Sequence, residues 1–244
     1  REIDARGLWK KIIHNAWKSA EPGVLFWDTV IRESVADSYA DLGFKTISTN
    51  PCGEIPLPAY DSCRLIAENL FSYVKNPFTP KAKFDFGLFE MHSMLGMRLM
   101  DDLLDLEIEK IDAILDKVKN RDPEPIETKA VERRLWEKIR DKAERGRRTG
   151  LGITGEGDML AALGMRYGSD EAIEFSERVH KTLALAAYRS SVEMAKERGA
   201  FPIYDSSREE NNPFIQRIKE ADPELYQEMV KYGRRNVALL TIAP

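Results

Sequence analysis

Only two cysteines, Cys52 and Cys63, occur among the 244 residues, so no disulfide framework holds this chain together. If the two thiols pair, a transient redox couple fits better than a structural bridge, and a cytoplasmic location is expected. Histidine is nearly as scarce. His14, His92 and His180 lie far apart and match no metal-ligand spacing, so no metal site is expected. No apolar run approaches the roughly 18 residues that span a bilayer, and no secretory signal is read at the start. Charge of one sign is also missing. The 37 basic and 41 acidic residues leave a net charge of -4, which argues against a dedicated nucleic-acid partner. What remains, 43% hydrophobic and 32% charged, is enough to bury a sizeable core in one or two domains.

Apolar periodicity organises most of the chain into helices. Leu8/Trp9, Ile12/Ile13 and Ala16/Trp17 predict a helix over 5–19 that Glu21-Pro-Gly23 ends. A second helical stretch is expected over 24–39, a strand over 65–74, and helices over 86–105, 107–118, 128–145, 158–163 and 170–198. In the first of these long helices Leu88, Met91, Leu95, Leu99 and Leu103 share one face, and the Met91/Met94/Met97/Met100 series reads as core filling. The four tryptophans read as packing residues. Lys119–Glu127, with two prolines among charges, is an exposed linker, and 211–232 reads as short helical pieces. Val237–Ile242 is an apolar β-type run at the very end, so a piece of something longer is expected. Many helices with a few apolar strands predict an α/β or mostly α fold.

Between Thr46 and Ala59 stand three prolines and a glycine, which force an extended or looped path. In an extended path alternate residues point the same way, so Asn50, Cys52 and Glu54 would project an amide, a thiol and a carboxylate from one face. No His, Lys or Arg lies between Thr46 and Asp61 to stabilise a thiolate, and Glu54 would repel one. The segment suits a thiol that gives up and regains a hydrogen atom. On spacing alone the plainer reading also stands: a small apolar Cys52 in an ordinary turn.

Thr49-Asn-Pro-Cys-Gly-Glu-Ile-Pro-Leu57 resembles the finger loop of ribonucleotide reductase catalytic subunits, in the spelling of the adenosylcobalamin-dependent class. Four further stretches resemble that family in the family's order: Trp17-Lys-Ser-Ala-Glu-Pro-Gly23, Tyr60-Asp-Ser-Cys-Arg-Leu65, Arg148-Thr-Gly-Leu-Gly-Ile-Thr-Gly155 and Arg235-Asn-Val-Ala-Leu-Leu-Thr-Ile-Ala-Pro244. The resemblance implies that 1–244 form part of a ten-stranded α/β barrel, helix-rich and cut at both ends, with the finger loop inside. Cys52 would become the thiyl radical that removes the ribose 3′ hydrogen. Glu54 would take the 3′-hydroxyl proton and Asn50 would hold the sugar. Cys63 would be one of two thiols that reduce the 2′ position, its partner lying upstream of Arg1. Pro244 would open the phosphate loop. Expected partners are a ribonucleoside di- or triphosphate, the remainder of the reductase chain, a thioredoxin-like dithiol reductant and, when complete, a second copy. Adenosylcobalamin is the expected radical source, with a separate metal-containing subunit as the alternative.

Glu156 and Arg64-Leu-Ile66 depart from the family pattern without touching the proposed catalytic set. The glycyl radical barrels share the fold, but the glycyl segment they need is not in this sequence. A module that works only when docked to a partner would instead expose apolar surface. Gly150-Leu-Gly-Ile-Thr-Gly155 spells a dinucleotide fingerprint but follows a charged helix, so it is read as a tight helix-start turn. Arg145-Gly-Arg-Arg148 is read as a solvated helix end, and a Cys52–Cys63 bridge as an artefact of truncation.

Overall fold

Side-chain caps start most of the helices in the computed structural model, which describes residues 2–62 and 64–242. Asp4 accepts from the Gly7 amide to start helix α1 (Ala5–Ser19). Helix α2 (Trp27–Glu33) follows, then extended Ser34 and a 3-10 segment, Val35–Leu42, in place of the single helix expected over 24–39. Strands β1 (Ser48–Thr49) and β2 (Pro56–Leu57) form a hairpin. Strand β3 stops at five residues (Leu65–Asn69), because the Asn69 side chain accepts from the Phe71 amide and turns the chain into a 3-10 segment, Leu70–Tyr73. A small antiparallel pair, β4 (Val74–Lys75) and β5 (Lys83–Phe84), precedes the 35-residue helix α3 (Phe86–Asn120), which runs through the break expected near residue 106.

Helix α4 (Ile126–Gly146) leads into strand β6 (Gly150–Thr154), helix α5 (Glu156–Ala162) and the 29-residue helix α6 (Asp170–Arg198). The short α7 (Ser206–Glu209), α8 (Pro213–Ala221) and α9 (Pro223–Tyr232) complete the set, the last two opened by Asn212-Pro213 and Asp222-Pro223 cap pairs.

Strand β6 pairs in parallel with β3 from Leu65↔Gly150 to Asn69↔Thr154, and the final apolar run joins its other side through the Leu151↔Leu240 bridge. Helix α3 covers these strands, and α6 packs along α3. A parallel strand covered this way reads as a continuous apolar run, and residues 150–153 are all buried. The expected helix-start turn at 150–155 is therefore a strand, and only Gly155, at φ +72°, starts the helix. Gly150 and Gly152 are there for close approach: a Cβ would come within 2.9 Å of the Arg64 carbonyl and 2.8 Å of the Thr241 carbonyl.

The face of α3 that packs inward carries Phe89, Ser93, Gly96, Met97, Met100 and Leu104. The expected stripe of Met91, Leu95, Leu99 and Leu103 is exposed instead. An apolar arc this wide leaves the choice of face to the small residues. A Cβ on Gly96 would sit 3.1 Å from Leu151, and Ser190 of α6 donates to the Met94 carbonyl at 2.7 Å. Of the methionine series only Met97 and Met100 fill the core. Trp9, Trp17 and Trp27 are exposed rather than packed, and none of the α1 residues is buried.

Two buried carboxylates carry opposite linkage. Asp101 on α3, with 0% exposure, accepts from Arg147 (2.8 Å), Asn236 (3.1 Å), Arg235 (3.2 Å) and Arg198 (3.3 Å). Burial alone would raise its pKa, but the Arg147 and Arg235 guanidinium groups outweigh it and hold the carboxyl below the usual carboxylate range. Glu68 on β3, 8% exposed, has one oxygen bonded by the Tyr73 hydroxyl at 2.6 Å and the other without a partner among the described residues. Burial pushes its pKa up, and the Tyr73 hydrogen bond offsets only part of that.

Asp101→Asn strands the buried arginines and is expected to cost about 3 kcal/mol at pH 7, measured by urea unfolding. That contribution is present above the unfolded-state value of about 3.9. It is lost as pH falls through the lower folded value, so the gap to wild type should close in acid. A loss below about 1 kcal/mol at pH 7 would contradict the role. Glu68→Gln should behave in the reverse sense. The raised folded pKa means stability is full below about 4.3 and falls as pH rises through the folded value. The variant should therefore be the more stable protein at pH 7–8 by roughly 1 kcal/mol, with curves that converge below pH 4.5; parallel curves would refute the assignment.

Candidate functional site

The finger loop is a hairpin tip and does not run extended. Ser48 pairs with Leu57 and Thr49 with Pro56, and the Asn50 amide donates to the Ile55 carbonyl at 3.3 Å. Between them the Gly53 amide donates to the Asn50 carbonyl at 3.0 Å, closing a β-turn with Pro51 in its second position. Gly53 lies at φ +80°, a conformation that favours glycine. The expected projection of Asn50, Cys52 and Glu54 from one face is thus wrong, because the reversal breaks the alternation on which it rested.

Each of the three plays a separate geometric part. The Asn50 side-chain oxygen accepts from the Ile55 amide at 3.0 Å, which pins the loop and leaves the amide nitrogen to donate elsewhere. Cys52 is exposed at the tip. Glu54 turns inward, and its Oε2 is shielded from solvent with no hydrogen-bond partner among the described residues. It lines a cavity of about 140 Å³ together with Ile55, Arg148, Thr149, Tyr188, Leu239 and Leu240. Burial pushes the Tyr188 hydroxyl up to about 12, so it stays protonated there. Cys63 and Pro244, the other expected site residues, lie outside the described residues.

Arg147 and Arg148 are not the solvated helix end that the charge run suggested. Arg147 ends α4 at φ +47° and turns inward to Asp101 and Asp105, at 2.8 and 2.7 Å. Arg148, 3% exposed, donates its Nε to Asp61 at 2.6 Å. Arg64 reaches the same carboxylate at 3.6 Å, donates to the Arg148 carbonyl at 3.2 Å, and is held by both oxygens of Glu107. Arg64 touches none of Asn50, Cys52 and Glu54; it backs Arg148, which lines the same cavity as Glu54. Sequence reasoning missed Asp61, Arg64 and Arg148 as one network. The available signal was two arginines placed directly before an apolar strand, where a charge must find a partner.

Among the described residues no group of three His, Cys, Asp or Glu side chains is placed to hold a metal ion. No helix among them is long and apolar enough to cross a membrane.

Parallel strands joined through long helices, with a hairpin presenting a thiol beside a cavity, define a domain of the α/β class. All of residues 1–244 match the ribonucleotide reductase barrel domain, and the chain belongs to that family. It is 33% identical over 207 residues to the vitamin B12-dependent ribonucleoside-diphosphate reductase of Thermoplasma acidophilum, covering 85% of this chain and 23% of that protein. It is 30% identical over 206 residues to the enzyme of the same name from Mycobacterium tuberculosis, covering 84% of this chain and 25% of that one. Among solved structures, the Actinobacillus ureae class Id ribonucleotide reductase alpha subunit shares the fold at a TM-score of 0.64 and 22% identity, over 98% of this chain and 36% of that one. The chain thus spans about a quarter of the length of these curated relatives, and its strands and helices are part of the family's α/β barrel.

Asn50→Ala removes the acceptor that pins Ile55. Native-state hydrogen exchange at the Ile55 amide should quicken about tenfold, the equivalent of one hydrogen bond, while the core amides of α3 and α6 stay unchanged. No change at Ile55 would mean that the hairpin alone holds the loop.

Proposed function

We propose that this chain supplies the radical loop of a ribonucleotide reductase, acting with further reductase polypeptide on ribonucleoside di- or triphosphates. One observation carries the reading: an exposed thiol, Cys52, stands on a pinned hairpin tip, and the next residue but one, Glu54, lines the adjoining cavity. Cys52, as a thiyl radical, takes the 3′ hydrogen of the ribose and becomes a thiol. Glu54 accepts the 3′-hydroxyl proton, and Asn50 donates its remaining amide hydrogens to the sugar. The 2′ oxygen leaves as water, and a dithiol that includes Cys63 gives two electrons and ends as a disulfide. Cys52 then returns its hydrogen to C3′. A thioredoxin-like dithiol restores the pair, and Pro244 opens the loop that takes the phosphates.

The relatives named vitamin B12-dependent favour adenosylcobalamin as the radical source. The residues present leave room for a large group to reach the thiol: Cys52 is open to solvent, and exposed Leu25 stands 3.4 Å from where a Gly53 Cβ would be. When bound, that cofactor supplies removal of a hydrogen atom from a thiol. A separate metal-containing subunit supplies the same chemistry in the alternative arrangement.

The apolar side chains exposed along α1 and α3 favour docking onto the remainder of a reductase and, in the complete enzyme, a second copy. The 244 residues alone are then inactive, and the assembly is cytoplasmic and binds no nucleic acid.

The test is ribonucleotide reduction by the reductase polypeptide or assembly that contains this chain, given adenosylcobalamin and a dithiol. Product that depends on cobalamin is expected, with none from Cys52→Ala and roughly 10²–10⁴-fold less from Glu54→Gln. Product only after a metal-containing subunit is added would move the radical source and keep the rest. Undiminished turnover in Cys52→Ala would overturn the reading.

A further inference from the structure

Both ends of the finger-loop hairpin are tied to one face of α4. Lys138, Lys142 and Arg145, spaced by four and three residues, share that face. On the entry side Lys142 donates to the Gly43 carbonyl at 2.5 Å, and Arg145 donates to the Leu42 carbonyl at 3.1 Å. These carbonyls close the Val35–Leu42 segment, where a helical ladder runs out of amide donors and cations take their place. On the exit side Lys138 donates to the Tyr60 hydroxyl at 3.2 Å, and Arg148, just past the helix, holds Asp61.

Lys142 is the buried member of this set. It is 7% exposed, and its ammonium lies 4.2 Å from the Phe44 ring centroid. Burial pushes its pKa down, and the Asp61 carboxylate opposes that only in part. An apolar side chain of similar volume would fill the space without that desolvation. What the ammonium adds is a fixed bond to the backbone. Gly43, at φ +92°, leaves room for it, since a Cβ there would come within 3.1 Å of Nζ. Buried Thr46 is held in a similar way, its amide and hydroxyl donating to the two oxygens of Asp37 at 2.9 and 2.5 Å. Strand β1 begins two residues later, at Ser48.

We propose that Lys142 is a positioning residue for Cys52: with Arg145 and Lys138 it fixes the hairpin on α4 and so sets where the thiol stands. This rests on reading Cys52 as the reacting thiol. Asn50 gives the tip its shape, whereas the α4 cations give the hairpin its direction. From Thr46 to Asn50 the chain rises about 13 Å, so a tilt of about 5° at the stem moves the tip by about 1 Å. A displacement of that size between reacting groups can cost on the order of 10²-fold in rate.

The experiment is steady-state ribonucleotide reduction by the assembly that contains this chain, comparing wild type with Lys142→Met and Lys138→Met. Hydrogen exchange and thermal melts are run on the same samples. Methionine keeps most of the lysine stem and removes the donor. Lys142→Met is expected to lower kcat about ten- to hundredfold while KM changes less than about threefold. In exchange, the Phe44 and Thr46 amides should quicken about tenfold, while those of Gly53, Ile55 and the α3 core keep their rates. Lys138 is exposed, so Lys138→Met leaves the core intact and carries the test should Lys142→Met fold poorly. It should lower kcat about threefold. Unchanged kcat in a folded variant, a KM that rises as far as kcat falls, or Gly53 and Ile55 amides that quicken with Thr46 overturns the proposal and leaves the reductase reading standing. Wild type without turnover overturns the reductase reading, and the proposal with it.

Discussion

Asp101 is the point from which the rest of the arrangement is hung. A carboxylate with no access to water can stay ionised only if cations and amides surround it, and here they arrive from the end of α4, the end of α6 and the segment before the last apolar run. Asn236 joins the ring twice, donating to Asp101 and to the Arg147 carbonyl at 2.9 Å. Because Arg147 is fixed this way, its neighbour Arg148 leaves the helix in one direction only, toward Asp61. The strand that follows is then aligned between β3 and the 237–241 run. A second buried pair, Arg234 with Glu209, closes the same corner inside a ring formed by Tyr188, Phe201 and Tyr204.

The finger loop illustrates a different economy. Its tip is held by a residue of its own, Asn50, and not by the body of the protein, so the thiol keeps its place while remaining open on one side. Glu54, two residues further, is already part of the interior. The chain passes from an exposed thiol to a shielded carboxylate oxygen within two residues.

Much of this was legible beforehand, and the failures have a common cause. The bounds of α1 and α6 were read correctly because cap residues and periodicity are local signals. The loop at 46–59 was located because proline and glycine restrict the backbone wherever they stand. Which face of α3 is buried was not legible, since Leu99 and Met100 are equally apolar and the choice rests on Gly96 meeting Leu151 and the Met94 carbonyl meeting Ser190, both far along the chain. The strand at 150–154 was taken for a turn because glycine signals loops by its freedom, whereas here it serves by its lack of a side chain. Arg147 and Arg148 looked solvated for a related reason: their counter-charges, Asp101 and Asp61, lie 46 and 87 residues away. Exposed Trp9 and Trp17 remind us that an amphipathic helix names its apolar side without saying what covers it.

The knot at Asp101 also bears on how the polypeptide comes off the ribosome. Asp101 is made first, and the amide that completes its shell, on Asn236, follows 135 residues later. At a synthesis rate of about 5–20 residues per second, that is an interval on the order of ten seconds. Until then the carboxylate must stay hydrated, so α3 cannot settle its inner face against α6 and β6. Nascent α3 would wait as an unfinished surface, a natural client for a chaperone, and the domain would close nearly all at once when its last cations emerge.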